Sequence, residues 1–393
     1  MAAAPTHTGG DVDEAEAALY DRQIRLWGLE AQNRMRRSHI LLAGLGGVAT
    51  EALKNIVLAG VGRVSLLDDA PVQPGDLEAG FFWREDDVGN ARAACALPRV
   101  QALNPLVKVD VLHGPLLEGA HEDVAARLAE LGVAVLVVSA ELAHDRTRLI
   151  QLNDLCRTLS LKYYVSAAQG FGGYIFSDLG PRHEYIVERP VASTSAAPAP
   201  LAATTSSSAD PTAAAAAAAA PAEATSAQPE KVQIKKRQAF VTLQEALRTK
   251  WKGKKGKRMS PGVFATWALW EHTSRPSGSS EQPPSPEELH KTCLTILDAA
   301  GVPSSVLTAG GEPDEVSFFT SFLRSQTTHG DFSPTCAIIG GVLAQDILNA
   351  LGGREEPLCN WFQLDGLAGK GPVHDIGTPP SDVIPAAAVA APA

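Results

Sequence analysis

Apolar and polar positions set the frame of this chain before any motif is considered. Residues 38–44, Ser38-His-Ile-Leu-Leu-Ala-Gly44, form a short apolar run of β type that enters a Gly-rich turn. From Ala49 to Ala59 the apolar residues recur at helical spacing, which predicts a helix. A second strand follows at Arg63-Val-Ser-Leu-Leu-Asp68. Strand, helix and strand make a βαβ unit, whose crossover is right-handed in nearly all known cases. Residues 107–112 and 134–139 are further strand candidates separated by a helical stretch at 122–131, and a helix at 146–158 leads to a strand at 162–166. Strands that alternate with helices predict an α/β chain with a Rossmann-like, doubly wound sheet.

The pattern then breaks. Between 192 and 228 the composition shifts to Ala, Ser, Thr and Pro, which bury too little apolar side chain to offset the entropy of ordering. We expect a disordered insertion over 191–230. Order resumes near Lys231, with Val-Gln-Ile and then Phe240-Val-Thr-Leu, and helices are expected at 244–251 and 262–271. A Ser/Pro/Gly-rich linker at 274–286 precedes a helical stretch at 286–300. A mostly apolar helix at 335–351, stopped by Gly352-Gly353, and a strand at 360–365 close the ordered part. The expected organisation is a disordered N-terminus (1–15), the first part of the Rossmann-like domain (16–190), the insertion, a helical inserted region with linkers (231–314), a return to the domain (315–371) and a disordered tail (372–393).

Composition narrows the classes of function. Hydrophobic residues make up 45% of 393 residues, enough for a large core. The formal charge of −10 argues against a nucleic-acid-binding body, because neutralising phosphates takes clustered Lys and Arg across a face. The five cysteines include no CxxC pair, which disfavours a disulfide scaffold and a zinc site. Residues 1–13 lack the layout of a signal peptide, and no apolar stretch reads as a membrane span. We therefore expect a soluble intracellular protein without a membrane or nucleic-acid partner.

The turn Gly44-Leu-Gly46-Gly47-Val-Ala49 fits G-x-G-x-x-G/A between a strand and a helix, and Asp68 follows at about the spacing of a ribose-binding acid. Such glycines let backbone N–H groups approach a phosphate at the helix N-terminus. They equally allow close helix–strand packing with nothing bound. The turn alone leaves both readings open.

Flanking segments carry a more specific signal. Tyr20-Asp-Arg22-Gln-Ile-Arg25-Leu-Trp27-Gly28-Leu-Glu-Ala-Gln32 resembles the opening signature of the enzymes that activate ubiquitin-like modifiers, a family with a ThiF/MoeB-like adenylation fold. Asn55-Ile-Val-Leu-Ala-Gly-Val-Gly62, Pro334-Thr-Cys-Ala-Ile-Ile-Gly-Gly-Val-Leu-Ala-Gln-Asp346 and Phe362-Gln-Leu-Asp365-Gly366 resemble later segments of the same family. The resemblance covers about residues 1–185 and 315–371. The Leu-Glu-Ala-Gln after Leu-Trp-Gly, with the short chain, is most similar to the small, non-catalytic subunits of heterodimeric SUMO-activating enzymes. The small subunit of the neddylation pathway and a self-sufficient adenylating enzyme of the sulfur-carrier type are the alternatives, and a nucleotide-dependent oxidoreductase would use the same turn.

What the resemblance implies about chemistry follows from its departures. In adenylation, a carboxylate of the modifier attacks the α-phosphorus while charge builds on the leaving pyrophosphate, which calls for cations and donors. Where active halves of the family carry Asn-Leu-x-Arg-Gln, this chain has Asp76-Leu-Glu-Ala79-Gly80, so an acid replaces the amide and the Arg and Gln are lost. The family's phosphate-binding Lys falls at Arg92, its metal-associated Asp near Ala140, and the second Asp of its Asp-x-Asp at Ala70. The resemblance thus implies Mg·ATP on a catalytic large subunit and none in this chain. It leaves Gly44, Gly46, Gly47, Asp68 and Arg92 as a vestigial cofactor site without metal ligands. Arg22 is the residue expected to reach in trans into the partner's ATP site, as an arginine finger does, with Arg25 as a second candidate. A surface ion pair of Arg22 with Asp21 or Glu30 is the competing expectation. No cysteine sits in the family's thioester context: Cys293 precedes Leu-Thr, and Cys336 lies inside the apolar helix, where a buried thiol is usually a small hydrophobe. The implied partners are the catalytic subunit and, through the complex, SUMO. The basic run Lys250-Trp-Lys-Gly-Lys-Lys-Gly-Lys-Arg258 suggests an import signal, an acidic-partner contact or a solvated loop, and the expected location is the nucleus, with the cytoplasm as a second site.

Overall fold

The computed structural model describes residues 14–139, 145–190, 231–274, 284–309, 311, 313–329 and 331–384. The parallel half of the main sheet consists of β1 (His39–Ala43), β2 (Arg63–Leu67), β3 (Lys108–Leu112), β4 (Val135–Ser139) and β5 (Lys162–Gln169). β6 (Gly172–Asp178) turns back antiparallel to β5. A separate antiparallel pair is formed by β7 (His183–Pro190) and β8 (Lys231–Gln238). Late in the chain β9 (Trp361–Asp365) and β10 (Val373–His374) extend the main sheet, while β11 (Asp382–Val383) joins β8. The main sheet thus runs β10-β9-β6-β5-β4-β1-β2-β3. Strand order reverses between β1 and β4, the switch point beside which doubly wound folds bind ligands.

β1 and β4 are buried at every position, as expected where helices cover both faces. Successive side chains enter opposite cores. Ile40 and Leu42 of β1 face the helices Gly47–Leu58, Arg92–Leu103 and Ser333–Gly352. Leu41 and Ala43 face the other layer, whose helices include His121–Leu131, Arg146–Thr158, Pro261–Thr273 and Pro286–Ala300. Trp267, Trp270 and Trp361 with Tyr174 form an aromatic cluster in that second core.

The helix Ser333–Gly352 is long and apolar enough to cross a membrane, contrary to the sequence expectation, yet 67% of its apolar window is buried inside the protein. Close packing is possible because Gly340 has no side chain: a Cβ there would lie 2.6 Å from Glu51 and 2.8 Å from the Val48 carbonyl.

The doubly wound α/β architecture matches expectation, and several boundaries do not. The expected helix at 244–251 is a single turn, Leu243–Leu247, closed by a capping box of Thr242 and Glu245. Phe240 lies in a loop, where its N–H donates to the Gly180 carbonyl. The region 231–314 begins with a strand, because β8 pairs with β7 along its length. Residues 14–19, set partly in a disordered N-terminus, form a helix, Glu14–Leu19. The tail expected to be disordered from 372 is built into the fold as far as 384: Asn360 Nδ2 donates to the Ile376 carbonyl, Gln238 Nε2 donates to the Pro379 carbonyl, and Ile376 is fully buried. Its prolines cost little here, since the segment is mostly extended. The rest of the expected N-terminal, 191–230 and C-terminal disorder lies outside the described residues.

Candidate functional site

The turn after β1 brings together the residues singled out in sequence. Gly44 adopts φ 86°, which favours glycine, and its N–H donates to the Leu67 carbonyl. Gly46 precedes the helix Gly47–Leu58 as its N-cap. Asp68, 3% exposed, uses both oxygens locally: Oδ2 accepts from Leu45 N–H at 2.8 Å and Oδ1 from Ala70 N–H at 3.0 Å. In this arrangement it ties the turn to the end of β2.

Arg92 opens the helix Arg92–Leu103 and grips Asp76 with a two-pronged contact, Nε to Oδ2 at 2.8 Å and Nη2 to Oδ1 at 2.7 Å. Its Nη1 lies 3.5 Å from Asp68, and the guanidinium sits 5.8 Å from the centre of the Trp83 ring. Asp76 therefore acts by engaging the Arg92 guanidinium. The Gly47 N–H, which would point at a phosphate, donates instead to Asp331 Oδ2 at 2.6 Å. A triphosphate would find its backbone donor and its guanidinium both engaged by carboxylates, so these residues do not fit the nucleotide that the turn suggests. Ala140, near which the family's metal-associated Asp falls, lies outside the described residues.

Arg22 and Arg25 lie on the helix Asp21–Trp27. Arg25 pairs with Asp21, Nε to Oδ2 at 2.9 Å, and Glu30 pairs with Arg34 at 2.6 Å. Both carboxylates proposed as surface partners of Arg22 are thus engaged, and exposed Arg22 has no ion-pair or hydrogen-bond partner among the described residues. Its helix is nevertheless held firmly. Asn104 Nδ2 donates to the Tyr20 hydroxyl at 2.8 Å and to the Val57 carbonyl at 2.9 Å. At the other end Trp27 Nε1 donates to Gln32 Oε1, and Gln32 Nε2 donates to the Ala59 carbonyl. Leu19, Leu26, Leu29 and Leu58 are exposed around this helix, and a cleft of about 370 Å³ opens between Gln23, Trp27, Asn55, Leu58 and Gln345.

Cys156, Cys293 and Cys336 are buried. Burial pushes the Cys293 thiol up to about 12 and the Cys359 thiol up to about 11, away from a reactive thiolate. In the basic run Trp251 and Gly256 are buried, as is Met259 directly after it, so the segment is anchored to the second core, and Lys255 pairs with Asp375 at 2.9 Å.

Two acids escaped the sequence reading. Asp331 lies 284 positions from the N–H it accepts, with no motif to mark it. Asp346 is buried and accepts from the Tyr164 hydroxyl at 2.7 Å and from Leu358 N–H at 2.6 Å; desolvation outweighs these bonds and holds its carboxyl up at about 6. Its place in the quoted closing-helix segment was the available signal.

The ThiF family model matches residues 20–382. SUMO-activating enzyme subunit 1 of Bos taurus is 32% identical over 377 residues, covering 94% of this chain and 97% of the relative. The Homo sapiens protein of that name gives 32% identity with the same coverage, and that of Danio rerio gives 33% over 92% of this chain and 95% of its own length. Among solved structures, PaaA superposes with a TM-score of 0.49 at 12% identity, covering 94% of this chain and 84% of its own.

Proposed function

Since the chain belongs to the ThiF family and stands there with the SUMO-activating enzyme subunit 1 proteins, we propose that it is the small subunit of a heterodimeric SUMO-activating enzyme. It pairs with a catalytic subunit that holds Mg·ATP, carries out adenylation of the SUMO C-terminus and forms the thioester. The observation that carries the site-level reading is an exposed guanidinium without a partner among the described residues, on a helix pinned at both ends, in a chain whose own phosphate turn is engaged by its own acid. Arg22 is positioned to lend charge to another subunit's triphosphate rather than to one of its own. The exposed leucines beside it support a protein partner on that face.

ATP–pyrophosphate exchange tests the assignment. The full chain alone should give background exchange, and adding the catalytic subunit with SUMO should restore it. Arg22→Ala should lower the restored rate about a hundredfold, the scale of losing one charge-assisted donor to a transition state. Exchange by the isolated chain at the rate of the complex would overturn the assignment. Equal rates with the neddylation modifier in place of SUMO would overturn the choice of modifier.

A further inference from the structure

We infer that Asp331 is the residue that determines which half of the heterodimer takes nucleotide: its carboxylate stands in place of a phosphate on the Gly-rich turn and excludes one. The heterodimer consequence rests on the reading above, whereas the exclusion is a property of this chain alone.

Asp331 Oδ2 accepts from Gly47 N–H at 2.6 Å, at the first residue of the 12-residue helix Gly47–Leu58. An anion is favoured there by the unpaired N–H groups and the helix dipole, and a carboxylate satisfies that preference as a phosphate would. Space is also consumed. A Cβ on Gly47 would lie 3.0 Å from Asp331 Oδ2 and 2.7 Å from Cys336 Sγ, so the volume above the turn is already filled to contact distance. The acid is delivered by a rigid element, because it lies two residues before the buried helix Ser333–Gly352 and Gly340 of that helix packs tightly on Glu51 and Val48. Charge acts in the same direction. Asp68 and Asp331 accept from the N–H groups of Leu45 and Gly47 in the turn, and Arg92, 3.5 Å from Asp68, is already bonded to Asp76. A triphosphate brought to the turn would have to displace one acid and approach two more.

The experiment uses the full chain alone, with inorganic pyrophosphate and Mg·ATP as probes, read by isothermal titration and by thermal shift. Wild type should give no saturable signal. Asp331→Asn keeps an acceptor for Gly47 N–H while removing the charge, and should bind pyrophosphate at least about tenfold more tightly than wild type. Asp331→Ala should bind more tightly still. Adding Asp76→Asn, which releases Arg92, should strengthen binding again. Equal affinity of wild type and Asp331→Asn, whether both bind or neither does, would overturn the inference. In a reconstituted heterodimer, nucleotide bound per complex should rise from one towards two on Asp331→Asn. If no heterodimer forms but the isolated variants gain pyrophosphate binding, the function assigned to the chain fails and the role of Asp331 stands.

Discussion

Arg22 and Arg25 occupy one short helix and carry the same side chain, and their surroundings separate them. Arg25 is held in an exposed i,i+4 pair with Asp21, with side chains 78% and 56% exposed, a contact worth about 0.3–0.5 kcal/mol. Arg22 makes no such contact among the described residues. Arg22→Ala should therefore leave the urea unfolding free energy within about 0.5 kcal/mol of wild type while it lowers exchange in the complex. Arg25→Ala should change stability by a similarly small amount and leave most of the exchange rate intact. A loss of exchange equal to that of Arg22→Ala would show that both arginines reach the partner's site. The motif made Arg22 legible because its neighbours in sequence are also its neighbours in space. Asp331 was not legible, since only folding brings it to Gly47.

At the scale of elements, the helix Asp21–Trp27 depends on the turn that follows the helix Gly47–Leu58. Gly60 has φ 81°, and a Cβ there would lie 2.5 Å from the Tyr20 ring. Gly60→Ala should destabilise the chain by more than about 1 kcal/mol through backbone strain and displacement of Tyr20, and should lower exchange although the Arg22 side chain itself is retained. Thermal unfolding and exchange on the same preparation check both outcomes; full exchange in a destabilised variant would show that the Tyr20 anchor does not position Arg22. Strands β1 to β4 and the helices Gly47–Leu58, His121–Leu131 and Arg146–Thr158 match their predicted ranges to within two residues, because period and turn residues agree there. Helix Arg92–Leu103 was missed, as an Ala-rich segment with an internal Pro98 gives a weak pattern, and β6 was missed among glycines at 172 and 173.

The whole molecule binds two cores to one sheet, and several buried polar groups join its layers. Asp178, 1% exposed at the end of β6, accepts from Asn153 Nδ2 at 2.8 Å and from Arg157 Nε at 2.7 Å, while Arg157 also donates to the Phe240 carbonyl. Asp178→Ala would leave a largely buried guanidinium without its counter-charge and should cost about 3–5 kcal/mol in urea unfolding, whereas a cost under about 1 kcal/mol would show that Arg157 relaxes to solvent. Acid stability is a second global property. Burial, reinforced at His183 by Lys162, lowers His183 and His374 to about 4 from 6.5. Each binds its proton less readily when folded, so its contribution is present above about pH 6.5 and is lost as pH falls to about 4, about 3 kcal/mol per histidine. Asp346 acts oppositely: raised from 3.8 to about 6, it stabilises fully below 3.8 and loses that contribution as pH rises to about 6. Two histidines outweigh one acid, so stability should fall between about pH 6.5 and pH 4. His374→Gln, which keeps an acceptor for Ser260, should lose less stability over that interval than wild type; an equal loss would remove His374 from the explanation.

The sequence by itself determined the βαβ frame, the Gly-rich turn after β1 and the position of Arg22, because each depends on residues a few places apart whose spacing sets backbone geometry and exposed face. The resemblance of its segments also implied which phosphate-binding groups are replaced. Only the tertiary structure decided what the replacements do. Asp76 engages Arg92, and Asp331, carried in by a helix from the far end of the chain, fills the donor that Gly47 offers. Such contacts arise when the chain closes its long loops and buries its apolar helices, and pairings across hundreds of residues leave no periodic trace in the sequence.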